Sequence, residues 1–285
     1  NPFKKGGGGG SNPADDGSGA PIGLIEVDQP AGLYEFTGSL EELAENRDLN
    51  SLGAEQLLDA YYVSQLARLR TIHMTTKGSD LMLVAEFSDD VDLFEWLLRK
   101  DPELLNKTDT YGWTPLHRAA RNGRFEICAF LLKEGASTDV KTAEGDRPLH
   151  SICKAMRCDD PQIIQNLLIA LSCSNSKMYT PNLAETRQNV VNSKGFDLVA
   201  SVNVKKETPL HSAASVGNLL ALEFILSIPN IHMSPLTTRG FSPLDYTIMQ
   251  ADLAAATLLL ERGAQTNPEK LDRILPHQDP DVLAH

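Results

Sequence analysis

The chain has little of what enzymes, membrane proteins and nucleic-acid binders need. Four of its 285 residues are cysteine (Cys128, Cys153, Cys158 and Cys173), none in a Cys-x-x-Cys spacing. Neither a disulfide framework nor a paired-cysteine zinc site is therefore expected. No apolar run approaches the ~20 residues of a membrane-crossing helix. Basic residues are outnumbered, 26 Lys and Arg against 38 Asp and Glu, giving a formal charge of −12. That excess argues against a sequence-independent nucleic-acid binder, which sets clustered cations against phosphates. A GxSxG elbow, a P-loop and an HExxH helix are all missing, so no catalysis and no cofactor or metal is expected. The first residues carry no apolar core of a secretory signal. With the cysteines read as free thiols, an intracellular protein is expected, cytoplasmic or nuclear.

Residues 1–20 are almost wholly Gly, Ser, Pro, Asn, Asp and Lys. They cannot bury enough apolar surface to offset their ordering entropy, so a flexible tether is expected. Gly6 to Gly10 followed by Ser11 looks like an engineered linker. Three readings of Asn1-Pro2-Phe3-Lys4-Lys5 stay open. It is the end of a partner peptide fused to its own receptor, a cloning scar, or a native motif resembling the Asn-Pro-Phe ligand of EH domains.

The rest of the chain repeats itself with a period near 34 residues. Thr114-Pro115-Leu116-His117, Arg147-Pro148-Leu149-His150, Thr208-Pro209-Leu210-His211 and Ser242-Pro243-Leu244-Asp245 share one frame, and Ser79-Asp80-Leu81 fits it upstream. In each unit a Thr or Ser can cap an inner helix, and proline at its first position loses no intrahelical bond. Small residues such as Ala119 and Ala120 let a second helix approach. Gly123 and Gly217 end the inner helix, and an outer apolar helix follows.

This pattern resembles the ankyrin repeat, over about residues 77–268. The resemblance implies an all-α solenoid of about five helix pairs with β-hairpin fingers, one long insertion and an N-terminal helical cap. Arg147 forgoes the side-chain cap, Asp245 stands where the family has histidine, and the first unit lacks both Pro and His. His117, His150 and His211 hold the same place in their units, which marks them as structural rather than metal-binding or catalytic.

An insertion of polar residues falls at about 172–199, either a solvated loop or a partner-binding or regulatory element. Within it Thr180-Pro181 has the form of a proline-directed phosphorylation site. Residues 21–76 form an N-terminal region: an extended segment at 21–37, a short helix from the Ser39-x-x-Glu42 capping box to Glu45, and a longer helix from Ala54 to Ile72. On the last, Leu58, Tyr62, Leu66 and Leu69 make one stripe. It caps the first repeat or helps to hold a peptide. Residues 269–285 make a C-terminal tail, with a polar helix expected from Pro268 to Leu275.

By resemblance the array is a non-catalytic interaction module, an adaptor or scaffold that binds a peptide or protein on finger tips and inner helices. Carried over unit by unit, the candidate contacts are Tyr111, Trp113, Arg118, Arg121 and Asn122, then Asp146, Arg147, Ser151 and Lys154. Lys205, Ser212 and Ser215 follow, then Phe241 and Tyr246. Trp113 either meets the partner or packs on a neighbouring finger. Arg118, Arg121 and Arg124 read as a basic stripe for an acidic or phosphorylated ligand or as a solvated face. Two other readings stand beside the adaptor: a regulatory region of a larger enzyme such as an exchange factor or kinase, and a transcriptional co-regulator.

Overall fold

The computed structural model describes residues 54–72, 79–155, 161–173, 179–182, 184–186, 188 and 197–267. The tether at 1–20, the segment at 21–37, the short helix to Glu45, most of the insertion and the tail lie outside the described residues.

Helix α1 (Ala54–Ile72) is followed by five antiparallel pairs. These are α2 (Asp80–Phe87) with α3 (Val91–Lys100), α4 (Pro115–Arg121) with α5 (Phe125–Lys133), and α6 (Pro148–Cys153) with α7 (Pro161–Leu171). Then come α8 (Pro209–Ala214) with α9 (Leu219–Leu226), and α10 (Pro243–Met249) with α11 (Leu253–Glu261). The first helix of each pair forms an inner row, the second an outer row. Ala119, Ala120, Ala213 and Ala214 are fully buried between inner helices, where a larger side chain would hold the helices apart. Outer helices meet through bulkier groups, as in the edge-to-face pair Phe94 and Phe130, with centroids 6.0 Å apart. One apolar core runs unbroken from Leu66 to Ala264. No single unit encloses it, so each is stable only against its neighbours.

The histidines supply polar links along this stack. In the second unit Thr114 N–H donates to His117 Nδ1 at 3.2 Å, which leaves the proton on Nε2 to donate to the carbonyl of Asp146, 3.2 Å away in the next unit. His150 reaches the Glu207 carbonyl at 3.3 Å and His211 the Phe241 carbonyl at 3.2 Å. Burial, the leading cause, holds His117 and His150 down at about 4, and it lowers His211 too. All three rings are therefore neutral at pH 7. Arg147 has no acceptor for a cap, but its N–H still donates to His150 Nδ1 at 3.2 Å, and its guanidinium turns to Asp139 at 2.6 Å. Asp245 performs the local half of the histidine's role, taking the Ser242 N–H at 2.7 Å, and it also accepts from Asn267 N–H at 3.4 Å.

Between pairs the chain makes tight five-residue fingers, with no strand among the described residues. A short polar residue opens each one. Asp109 Oδ1 accepts from the amides of Tyr111 (2.8 Å) and Trp113 (2.9 Å), and Asn203 Oδ1 does the same for Lys205 and Glu207 at 2.9 Å. Thr142 and Thr237 stand at the equivalent places, their hydroxyls accepting from Asp146 and Phe241 N–H. Successive fingers are joined backbone to backbone. Ala143 N–H donates to Tyr111 O at 2.8 Å, Val204 N–H to Glu144 O at 2.9 Å, and Thr238 N–H to Lys205 O at 2.8 Å. The turn residue needs positive φ: Gly112 (76°), Gly145 (81°) and Gly240 (79°), but Lys206 (58°) in the fourth unit.

Helix α1 lies against the first pair. Leu66 is buried and Tyr62 and Leu69 pack on the core, whereas Leu58 of the same stripe is exposed. Asp59 clasps the contact. Its two oxygens accept from Trp96 Nε1 at 2.6 Å and Lys100 Nζ at 2.8 Å. Arg70 and Asp80 close the other end as an ion pair.

The insertion leaves the stack unbroken because its ends meet. Ser172 and Cys173 continue the core after α7, Leu198 and Val199 rejoin it, and Leu198 N–H donates to Ser172 O at 2.9 Å.

Candidate functional site

Register alone assembles the candidate surface. The finger ties put Tyr111, Glu144, Lys205 and Arg239 at one position of four successive turns, and the residues two places on, Trp113, Asp146, Glu207 and Phe241, at the base of each finger. The inner helices then present Arg118, Ser151, Ser212 and Tyr246 one turn in, and Arg121, Lys154 and Ser215 one turn further.

Some of these side chains face solvent. Tyr111 is 57% exposed, the finger of the fourth unit adds the apolar Val204 (71%), and Val202 (48%) stands just before it. Lys205, Lys206 and Arg239 are exposed along the same edge, Lys205 standing 3.7 Å from Glu144. Arg121 and Asn122 are exposed as well, though each donates to a backbone carbonyl, Arg121 to Lys154 (2.9 Å) and Asn122 to Arg118 (2.9 Å).

Others are committed internally. Trp113 is half-buried, edge-on to His117 with centroids 5.9 Å apart, and the Arg118 guanidinium stacks 5.0 Å from its ring. Arg118 also bonds Glu86 at 3.1 Å and Asp109 at 2.7 Å. Arg124 pairs with Asp89 at 2.6 Å. A free basic stripe on Arg118, Arg121 and Arg124 thus does not form, because acids of the first unit and finger meet two of the three. Ser151 and Ser212, expected at the surface, are buried beneath it, for the small inner-helix positions face the neighbouring helix. The Arg147 side chain is taken by Asp139.

A polar chain crosses the third, fourth and fifth units. Asp146 accepts from Lys154 Nζ at 2.7 Å and from Asn203 Nδ2 at 2.8 Å. Asn203 Nδ2 also donates to Glu207 at 2.9 Å, whose other oxygen accepts the Tyr246 hydroxyl at 2.7 Å. Burial by itself would raise both carboxyls. The Lys154 charge and these donors outweigh it, so Asp146 and Glu207 both end below the ordinary range. Burial, then the Glu207 bond, pushes the Tyr246 phenol up. Ser215 turns its hydroxyl back to Ser212 O at 2.8 Å, and Phe241 packs edge-on to Tyr246.

Sequence reasoning missed Glu86, Asp109, Asn203 and the apolar finger residue Val204. The first three neutralise or anchor charges that look free in the sequence. A signal existed: Asp109, Thr142, Asn203 and Thr237 fall in one register, all short acceptors five residues before a helix cap. Among the described residues no group of three or more His, Cys, Asp or Glu side chains is placed to hold a metal ion.

Known proteins agree with this geometry. Residues 81–179 match the family model for ankyrin repeats (3 copies). The human transient receptor potential cation channel subfamily A member 1 is 22% identical over 265 residues, 87% of this chain and 22% of the channel. The probable 26S proteasome regulatory subunit p28 of Saccharomyces cerevisiae is 29% identical over 190 residues, 59% of this chain and 79% of that subunit. The human inhibitor of Bruton tyrosine kinase is 31% identical over 111 residues, 36% of this chain and 8% of its own length. The chain therefore spans about a fifth of the channel but most of the yeast subunit.

Proposed function

The chain is an ankyrin-repeat protein, and from that premise we propose that it is a non-catalytic adaptor that binds a protein partner along its finger tips and inner helices. Ankyrin repeats are protein-interaction modules and are generally non-catalytic. The observation that carries the reading is the line of backbone ties from Tyr111 to Thr238. It fixes an exposed aromatic, a valine and three cations in one row with little ordering entropy left to lose on binding. Tyr111 is its aromatic anchor, of the kind that dominates interface energetics, and Val204 adds exposed apolar area along the same row.

Acidic or phosphorylated groups of the partner belong opposite Lys205, Lys206 and Arg239. Arg118 and Lys154 already have carboxylates within 3.1 Å and 2.7 Å, so an acidic ligand there would compete with bonds in place. Helix α1 acts as the cap of the first repeat. The free, buried Cys128 and Cys153 suit a reducing, intracellular setting. No described helix is long and apolar enough to cross a membrane.

A second reading makes the array the interaction region of a longer polypeptide, an enzyme or a co-regulator. It is favoured by the small share of the channel and of the kinase inhibitor that the chain covers.

The test is quantitative affinity capture with Tyr111→Ala plus Val204→Asp, beside an outer-face control, Glu126→Lys. The reading expects a captured protein to be lost with the double variant and retained with the control, while melting temperatures stay alike. Equal capture by all three would overturn it.

A further inference from the structure

Five Ser/Thr-Pro dipeptides occur in the chain: Thr114-Pro115, Thr180-Pro181, Thr208-Pro209, Ser234-Pro235 and Ser242-Pro243. The fold separates them sharply. Thr114, Thr208 and Ser242 are buried helix N-caps, each with its proline in the first helical turn. A kinase could reach those hydroxyls only by unwinding a repeat. Ser234 is occupied as an acceptor, taking the Gln265 N–H at 2.7 Å. Thr180, like Ser234, differs from the three buried caps. It lies in non-helical backbone on the insertion, half-buried, with Pro181 and Asn182 exposed beside it.

Thr180 is also the knot that fastens this part of the insertion to the outer helix row. Its carbonyl accepts from Asn166 Nδ2 of α7 at 2.7 Å, and its amide donates to Thr186 Oγ1 at 3.0 Å. Its own hydroxyl donates to the Asn182 carbonyl at 3.0 Å. The amides of Ala184, Glu185 and Thr186 are held in turn by Asn182. Next door, Tyr179 packs on the core.

We propose that Thr180 is the phosphoacceptor of a proline-directed protein kinase, and that phosphorylation unpins this segment from α7. In the step, Thr180 Oγ1 attacks the γ-phosphorus of a nucleoside triphosphate. The new O–P bond forms as the bond to the β-phosphate oxygen breaks, the diphosphate departs, and the hydroxyl proton passes to the kinase's base. The hydroxyl that donated to Asn182 then becomes a phosphate that can only repel that carbonyl, carrying close to two negative charges. The Asn182 carbonyl keeps the Thr186 N–H but loses the Thr180 donor and faces like charge in its place, which forces apart the turn that presents the Thr180 carbonyl to Asn166.

The experiment treats the full folded chain with a purified proline-directed kinase and radiolabelled MgATP, maps the label by mass spectrometry, and follows amide hydrogen exchange. Label is expected at Thr180 and not at Thr114, Thr208 or Ser242. It should vanish in Thr180→Ala and persist in Thr180→Ser. The amides of Ala184, Glu185 and Thr186 should exchange about tenfold faster in the labelled chain, the effect of losing one or two net hydrogen bonds. An unlabelled Thr180, or labelling of Thr180 and the buried caps at equal rates, would overturn the site. Unchanged exchange in fully labelled protein would overturn the unpinning.

Discussion

His117 Nε2 stands 3.2 Å from the backbone carbonyl of Asp146, the base of the next unit's finger. The ring thus joins two repeats with one proton on Nε2, while Nδ1, unprotonated, accepts from Thr114 N–H within its own unit. Protonating Nδ1 would replace the acceptor of Thr114 N–H with a second donor, inside a core without water to stabilise the charge.

Acid should therefore loosen the array well before its carboxylates titrate. His117 and His150 hold at about 4 in the fold against 6.5 unfolded. The folded value is the lower one, so the unfolded chain binds the extra protons and stability falls as pH drops from 6.5 toward 4. Two such groups imply a slope approaching roughly 3 kcal/mol per pH unit near pH 5. Asp146 and Glu207, also depressed, contribute stability above their unfolded values and lose it only below about pH 4. Urea titrations at pH 7.0, 6.0 and 5.0 would check the slope. A flat profile over that range would contradict buried neutral histidines.

The finger turns offer a paired test of backbone strain. A Cβ on Gly145 would lie 3.0 Å from Val204 N and 3.1 Å from Asn203 Cα, on top of a positive φ. Gly145→Ala should cost about 1–2 kcal/mol or more. Lys206 already carries a Cβ at φ 58° in the equivalent turn. Lys206→Gly should gain up to ~1 kcal/mol, since glycine relieves the left-handed penalty but adds unfolded-chain entropy. Denaturant midpoints of the two variants should move in opposite directions.

Arg118 looks like a ligand contact in the sequence and behaves as a strut in the fold. Its removal would leave Asp109, whose side chain is 2% exposed, without its cation. Arg118→Ala should lower stability by about 2 kcal/mol, whereas Arg121→Ala on the exposed neighbour should stay within ~0.5 kcal/mol. Equal effects in thermal unfolding would show that the ion pairs contribute little.

The clasp on α1 can be released separately. Asp59→Ala removes acceptors from both Trp96 and Lys100. Loss of about 1–2 kcal/mol is expected, together with faster amide exchange confined to 54–72 and a shift in Trp96 fluorescence. Exchange that quickens throughout the array would instead make α1 part of the global core.

Much of this architecture was legible because the repeat grammar is local. Proline at the first helical position, the polar cap and the closing glycine act within one turn of chain. The helix pairs and the Ala54–Ile72 helix could therefore be placed from neighbouring residues alone. The burial of Ser151 and Ser212 is not legible in the sequence because a serine gives no sign of what covers it, and the inner face of a stack is nearly all interface. The ion pairs of Arg118 are not legible in the sequence because its partners, Glu86 and Asp109, come from other elements and are brought near only by stacking. The fingers are bare turns rather than ladders. Each closes on itself, as by Asp109 N–H to Trp113 O at 2.9 Å, but the bonds that join one finger to the next run across the repeat axis, and a pattern read along one chain segment does not reveal those.

The finger ties also make the array mechanically lopsided. Along one edge, successive units are joined by short backbone bonds that barely stretch. Along the other, the outer helices meet through side-chain packing, as Phe94 and Phe130 do. Bending therefore pivots on the finger edge, like a book opening on its spine. A partner lying along several fingers would span a line of nearly constant length, and a partner gripping the outer helices would sense curvature.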